Sequence, residues 1–155
     1  MKRFGDVIRL PVVAADTAER VGKVTGVVLA PAPARVEFVH MHTARGDELV
    51  AWAEVRAIGP DAVMINHGAG PFADASVSGR QSGPIGKSLL TDRGRRLGEV
   101  RDVTFDEEDG RLVSLTTAAD VLDGARLLGV GDFAVVITDQ AIREADESGS
   151  GSASG

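Results

Sequence analysis

Short apolar runs separated by glycine and proline are the main pattern along this chain. Through residues 6–66, and again through residues 84–138, runs rich in Val, Ala and Leu are only a few residues long. Turn-forming residues break them at intervals that suit strands rather than helices. Between the two parts, residues 67–83 are small, polar and glycine-rich, as flexible linkers are. The pattern therefore predicts an all-β protein with two strand-rich parts.

The two strand-rich parts share one sequence pattern. The segment 95–115 repeats a segment about 76 residues upstream, with identical residues at matching positions and no gap. The identical residues are Asp16, Arg20, Gly22, Val24, Val27 and Arg35, which align with Asp92, Arg96, Gly98, Val100, Val103 and Arg111. An internal repeat of this kind generally means that one structural unit is built twice.

The two repeats differ at the turn between their central strands. Residues 106–110 of the second repeat read DEEDG, and Asp-Gly between apolar runs is a strong hairpin signal because both residues tolerate positive φ. The first repeat has APAPA there, at residues 30–34, where proline fixes φ instead. Apolar residues three apart just before each turn break the period of two. This spacing predicts a bulge near Gly26 and Asp102, which would bend the strand.

Turn-forming residues and changes in composition divide the chain into four predicted parts. They are a first unit at 1–66, a linker at 67–83, a second unit at 84–138, and an acidic, then Gly/Ser-rich tail at 139–155. We expect the tail to be disordered because its composition offers too little apolar surface to bury.

The second repeat resembles a known family. The line TDRGRRLGEVRDVTFDEEDGRLVSL, residues 91–115, is similar to the PRC-barrel family, which takes its name from the photosynthetic reaction centre H subunit and includes the C-terminal domain of the ribosome-maturation factor RimM. The matching positions are Asp92, Gly94, Leu97, Gly98, Val100, Asp102, Val103, Phe105, Asp106, Gly110 and Leu112. The first repeat has Ala18, Gly26, Ala30 and Ala34 where the second has Gly94, Asp102, Asp106 and Gly110. It is a divergent copy.

The resemblance implies two tandem small antiparallel PRC-type β-barrels followed by a flexible C-terminal tail. Barrels of this family act as binding or assembly modules, and the resemblance brings no catalytic residue with it. The membrane helix of the reaction centre subunit and the N-terminal domain of RimM have no counterpart in this sequence, so neither specific role transfers.

Composition narrows the class of protein. The 155 residues are 43% hydrophobic and 26% charged, as in ordinary globular domains. The chain has no Cys, which excludes disulfides and thiolate chemistry and fits a reducing cytoplasm. A net charge of −6 argues against direct nucleic-acid binding. No apolar run suits a signal peptide or approaches the ~20 residues of a membrane helix, so we expect a cytoplasmic protein without a membrane segment.

Few local motifs suggest chemistry. GPIGKS at residues 83–88 ends like a phosphate-binding loop, but Gln81 stands where that motif needs Gly. The run Asp106 to Asp109 offers hard oxygen ligands at a loop tip, without the alternating spacing of a calcium loop. Trp52 is most simply a core or rim residue, and no serine lies in a recognisable nucleophile motif. We therefore predict no catalytic residue, no cofactor and no enzymatic activity.

The pair His40 and His42 is the best candidate for metal chemistry. Residues two apart on a strand point to the same face, and two neighbouring imidazoles can chelate zinc, copper or nickel. A third ligand could come only from Asp47 or Glu48 across the next turn. Metal binding through the two histidines is therefore kept as an alternative, and the prediction itself assigns no metal site.

The aligned strand of the second repeat predicts which way these side chains face. Its polar and apolar positions place Val39 and Met41 inward and Phe38, His40 and His42 outward. The second repeat has Ser114 at the position that aligns with Phe38, so the fold does not need an aromatic ring there. Because aromatic side chains anchor interfaces, Phe38, His40 and His42 form the candidate interface. We expect the other unit, a second copy of the chain or a partner protein to cover it.

These observations predict a non-enzymatic protein-binding or assembly module of the PRC-barrel type. Its partner is an unidentified protein or a second copy of the chain. One alternative is a ribosome- or RNA-metabolism-associated factor, by analogy with RimM. The other is a metal-binding protein that uses His40 and His42.

Overall fold

The computed structural model describes residues 1–74 and 83–139. Residues 75–82 of the predicted linker and residues 140–155 of the predicted tail lie outside this part. The strands are β1 (Lys2–Arg3), β2 (Pro11–Ala14), β3 (Arg20–Ala30), β4 (Arg35–Thr43), β5 (Gly46–Ala51), β6 (Val55–Ile58), β7 (Val63–Ile65), β8 (Ala73–Asp74), β9 (Ser88–Thr91), β10 (Arg96–Glu99), β11 (Asp102–Phe105), β12 (Leu112–Thr116), β13 (Val121–Asp123), β14 (Leu127–Val130) and β15 (Ala134–Ile137). The helical elements are α1 (Phe4–Val7) and the 3₁₀ turns Trp52–Glu54 and Gly124–Arg126.

The strands form three sheets. The largest has the order β6-β7-β2-β3-β4-β5-β8, and the other two have the orders β1-β11-β12-β13 and β10-β9-β15-β14. The predicted all-β class is confirmed. Among the described residues, however, no sheet closes on itself into a barrel, so the predicted pair of closed barrels is not what the hydrogen bonding shows.

A bulge in the first repeat corresponds to a strand break in the second, and this difference affects how the sheets are divided. The ladder between β3 and β4 shifts register between Val24 and Gly26, so the bulge predicted near Gly26 is confirmed. In the second repeat the corresponding strand is interrupted at Val100 and Arg101, and its two halves, β10 and β11, belong to different sheets. The long β3 therefore holds the first repeat in one sheet, whereas the break after β10 splits the second repeat between two.

Backbone hydrogen bonds recur at equivalent places in the two repeats. A pair of short strands in each repeat runs in parallel, β2 with β7 and β9 with β15. The amide of Arg9 donates to Val24 at 2.9 Å, and the amide of Gly86 donates to Val100 at 2.8 Å. Arg9 and Gly86 both have positive φ, 73° and 86°. The shared pattern therefore extends from sequence to backbone geometry.

One hydrophobic core runs through both repeats. Val12, Met41 and Ile65 of the first repeat and Leu115 and Ile137 of the second belong to a single cluster of fully buried side chains. A small strand-rich unit buries only part of its surface alone, so a shared core stabilises both. The two repeats thus share one hydrophobic core.

Two further features join the repeats. The N-terminal strand β1 pairs with β11 of the second repeat, and the amide of Gly5 donates to the Asp102 carboxylate at 3.0 Å. A pair of backbone bonds also connects the turn before β4 with the turn before β12. In that pair Val36 donates to Gly110 at 2.7 Å and Leu112 donates to Ala34 at 3.0 Å.

Candidate functional site

The outer face of β4 carries the predicted interface residues. Val39 and Met41 are buried in the main core, whereas Phe38 packs with Val28 and Leu49 in a separate cluster. The predicted facing of the strand is therefore confirmed at these positions. Phe38 itself is half-buried.

His40 is buried on this face. Its side chain lies within 2.6 Å of the Thr25 hydroxyl through Nδ1, and its Nε2 is buried without a hydrogen-bond partner. Burial lowers the pKa of His40 because the charged imidazolium loses its hydration, and the opposing attraction of Asp47 is weaker. His40 is therefore held towards its neutral form.

His42 is exposed and has a different partner from His40. Its Nδ1 lies 3.0 Å from the carboxylate of Asp47, on the neighbouring strand β5. Glu48, the other candidate third ligand, accepts hydrogen bonds from Thr43 at 2.9 Å and from Arg45 at 3.2 Å. Each of the two carboxylates thus already has a partner within the chain.

No three His, Asp or Glu side chains come together as a metal centre within residues 1–74 and 83–139. Of the three predicted interface residues, His40 is buried, Phe38 is half-buried and His42 is exposed. His42 and part of Phe38 are what this face offers to a partner.

Carboxylates of the acidic loop, Asp106 to Asp109, hold their own turn together by hydrogen bonds to backbone amides. The carboxylate of Asp106 accepts from the amide of Glu108 at 2.8 Å, and that of Asp109 accepts from the amide of Arg111 at 2.9 Å. Glu107 lies 2.7 Å from the terminal ammonium, whose hydrogen bond holds the pKa of that carboxyl below its usual range. The Asp106 and Asp109 carboxylates act as local caps of backbone N–H groups.

Two aspartates of the family motif also bond to backbone. Asp92 accepts from the amide of Asp139 at 2.9 Å, and Asp102 accepts from Gly5. Asp16, the counterpart of Asp92 in the first repeat, accepts from Gly68 at 3.1 Å. The motif carboxylates therefore tie distant backbone segments together.

An apolar cavity lies between the repeats and is called here the junction groove. It has a volume of about 440 Å³ and includes Pro31, Pro33 and Ala34 on one side and Leu112, Leu127 and Leu128 on the other. Leu128 is 47% exposed. The guanidinium of Arg35 donates to the carbonyls of Pro31 and Pro33, which holds the proline-rich wall in place. The groove is thus preformed.

Trp52 occupies the other side of the same junction. Its ring meets Phe105 edge to face, with centroids 6.1 Å apart and planes at 86°. The indole also lies against Gly110, where an added Cβ would be 2.9 Å from the ring. Here an aromatic ring from the first repeat seals the contact with the second.

A second cavity, of about 690 Å³, is lined in part by Asp47, the partner of His42. Arg45, Asp47, Glu48 and Asp74 give it a charged lining, with Phe72 as its aromatic member. The Arg45 and Glu48 side chains form an ion pair there at 3.2 Å. Its charged groups make it less suited to an apolar partner than the junction groove.

The sequence pattern pointed to neither wall of the groove as a binding site. The aligned turns nevertheless carried a signal, since APAPA at residues 30–34 replaces DEEDG at residues 106–110. In the structure, Trp52 and Gly124 begin equivalent 3₁₀ turns. Different residues at matching positions of the two repeats indicate that those positions have different structural surroundings.

Comparison with protein families finds a PRC-barrel domain at residues 79–145. The match covers the second repeat and does not extend to the first. Comparison with curated proteins finds no match. In the part of the chain that the structure describes, no helix has the length and apolar character needed to cross a membrane.

Proposed function

We propose that this protein is a non-enzymatic protein-binding or assembly module of the PRC-barrel type, and that its partner docks in the junction groove. The observation that carries the proposal is the preformed apolar groove between the repeats, with the half-exposed Leu128 on its wall. Binding sites are typically concave and mainly apolar, with a few polar groups for orientation.

The construction of the groove favours binding. One wall is a turn rich in proline, held by two hydrogen bonds from Arg35, so little conformational entropy remains to be lost on binding. Arg111 and Asp123 also line the groove and supply the polar groups that would orient a partner. A rigid apolar floor with a polar margin is the arrangement in which a single buried anchor contributes most of the affinity.

The non-enzymatic part of the proposal rests on how the polar groups are used. Asp92, Asp102, Asp106 and Asp109 all accept from backbone amides. Carboxylates employed in this way hold turns and segment ends, which is a structural role.

We also propose that the first repeat is a divergent copy of the same PRC-type unit. The recurring hydrogen bonds, the parallel pairing of β2 with β7 and of β9 with β15, and the two positive φ values at Arg9 and Gly86 support this. A cytoplasmic location and the absence of nucleic-acid contact are part of the proposal, supported by the lack of Cys and by the net charge of −6.

A site-specific crosslink tests the proposal. A photoreactive phenylalanine analogue is placed at Leu128 of the full chain in its native cell, with a matched control at Phe133, which is 85% exposed and outside the groove. We expect Leu128 to give one defined crosslinked protein that Phe133 does not, and Leu128→Asp to abolish its co-purification. The same captured proteins from both positions would contradict the proposal.

The identity of the captured protein separates the alternatives. Ribosomal proteins would favour a ribosome-associated factor. Stoichiometric zinc in protein purified without an affinity tag, lost in His40→Ala, would instead favour a metal-binding protein.

A further inference from the structure

Trp52 and Gly124 occupy the same position in their repeats. Each begins a 3₁₀ turn, and its carbonyl accepts from the residue after that turn. Each turn ends with an equivalent bond, in which Asn66 donates to Glu54 at 3.0 Å and Thr138 donates to Arg126 at 2.9 Å. The two turns are therefore copies of one local structure, with an indole in one and a hydrogen atom in the other.

The surroundings of the two positions also correspond. Trp52 lies against Gly110 and Phe105. In the repeat alignment these two residues correspond to Ala34 and Leu29 of the first repeat. Ala34 lines the junction groove, beside the proline-rich turn. The groove is accordingly the counterpart of the site that Trp52 fills on the other side of the junction.

The chain cannot fill this counterpart from the equivalent position. A Cβ added at Gly124 would lie 2.5 Å from the carbonyl oxygen of Leu112, so no larger residue fits there without moving the backbone. Gly124 thus leaves open the space that an aromatic side chain occupies in the equivalent site.

We propose that the junction groove binds an aromatic side chain presented by a partner polypeptide, in the way that Trp52 packs against Gly110 and Phe105. This inference rests on the proposed function and names the chemistry of its ligand. Aromatic rings bury much apolar area at a low cost in conformational entropy, and they pack edge to face on apolar walls. The groove offers such a wall through Pro31, Pro33 and Leu127.

Small aromatic and aliphatic amides test the proposal directly on the full chain. N-acetyl-tryptophanamide and N-acetyl-leucinamide are titrated separately while methyl resonances are followed by two-dimensional NMR. We expect the aromatic amide to shift the methyls of Ala34, Leu127 and Leu128 and to bind about 10-fold more tightly than the aliphatic amide, a difference that corresponds to about 1.4 kcal/mol.

Two variants and one control make the test specific. Leu128→Asp places a charge on the groove wall, and Ala125→Trp fills the groove from within, so each should reduce binding of the aromatic amide at least about 5-fold, a loss of about 1 kcal/mol. Phe133→Ser lies outside the groove and should leave binding unchanged. Because Leu128 and Phe133 are exposed, their variants should remain folded.

The outcomes are distinguishable. Equal affinity for the two amides, or no shift at the groove methyls, would overturn the aromatic inference, while the crosslink from Leu128 would still uphold the proposed function. Shifts confined to methyls outside the groove would also overturn the aromatic inference.

Discussion

Arg35 and Arg111 pair with each other in an antiparallel bridge across the boundary between the two repeats. The repeat alignment places these two residues at the same position. The bonds on either side of the bridge are also exchanged by that alignment, as contacts around a two-fold axis must be. The repeats therefore meet as two copies meet in a symmetric dimer.

The first prediction is that the chain unfolds in a single step. The main core includes residues of both repeats, so neither repeat can unfold without exposing the other. Fluorescence of Trp52, the one tryptophan in the chain, reports on the junction, and circular dichroism reports on all strands. We expect coincident urea transitions from the two signals. Two separated transitions, or independent tumbling of two units in NMR relaxation, would contradict the shared core.

The second prediction concerns Gly110. Its φ is +80°, and an added Cβ would lie 2.9 Å from the Trp52 ring. Gly110→Ala should therefore combine backbone strain of about 1 kcal/mol with overpacking of about 1–3 kcal/mol. The measurement is the free energy of unfolding in urea.

Gly94→Ala is the matched control for that prediction. Gly94 has nearly the same φ, +82°, but nothing lies within 4 Å of its added Cβ. It should lose only the backbone part, about 1 kcal/mol. Equal losses in the two variants would show that the Trp52 contact does not constrain the junction.

The third prediction compares two phenylalanines. Phe105 is fully buried in the main core, and Phe105→Ala should cost about 3–5 kcal/mol. Phe38 is half-buried in the small outer cluster, so Phe38→Ser should cost only about 1–2 kcal/mol and preserve the β-sheet circular dichroism. Urea unfolding measures both. A loss for Phe38→Ser as large as that for Phe105→Ala would mean that the outer cluster is part of the core.

The fourth prediction is a pH dependence that comes from His40. Its folded-state pKa lies below the unfolded value of about 6.5 because burial disfavours the charged ring. Between these two pKa values the unfolded chain binds more protons than the folded chain, so stability falls as pH decreases through this window and levels off below it. The slope from one group cannot exceed about 1.4 kcal/mol per pH unit.

Urea midpoints at pH 7.5 and 5.5 measure this effect. We expect the decrease in the unfolding free energy to shrink in His40→Gln relative to the unmodified protein. His42→Gln, on the same strand but exposed, is the control and should retain the decrease. An unchanged pH dependence in His40→Gln would assign the effect to other groups.

Local patterns determined much of the fold. The alternation along residues 35–43 predicted that Val39 and Met41 face the core, because successive side chains of a strand point to opposite faces. The spacing of apolar residues predicted the bulge at Gly26 for the same reason. The repeated pattern predicted that one unit is built twice, and backbone hydrogen bonds do recur at equivalent places in the two repeats.

The candidate site depended on contacts between residues far apart in sequence. Local alternation placed His40 outward, yet it is buried, because burial depends on what packs against the sheet as well as on the strand itself. The family resemblance implied two tandem barrels, whereas no sheet among the described residues closes on itself, and both repeats share one core and one backbone bridge.

The junction groove shows the same division between sequence and tertiary structure. The sequence showed that a proline-rich turn of one repeat aligns with an acidic turn of the other. The equivalence of Trp52 and Gly124 came from the two 3₁₀ turns that they begin. Only the packing of the repeats decided that Trp52 covers Gly110 while Pro31 and its neighbours border an open groove. The shape of a cavity depends on the distance and angle between the two surfaces that form its walls. Many long-range contacts together set that distance and angle, so the sequence of either wall alone does not determine the cavity.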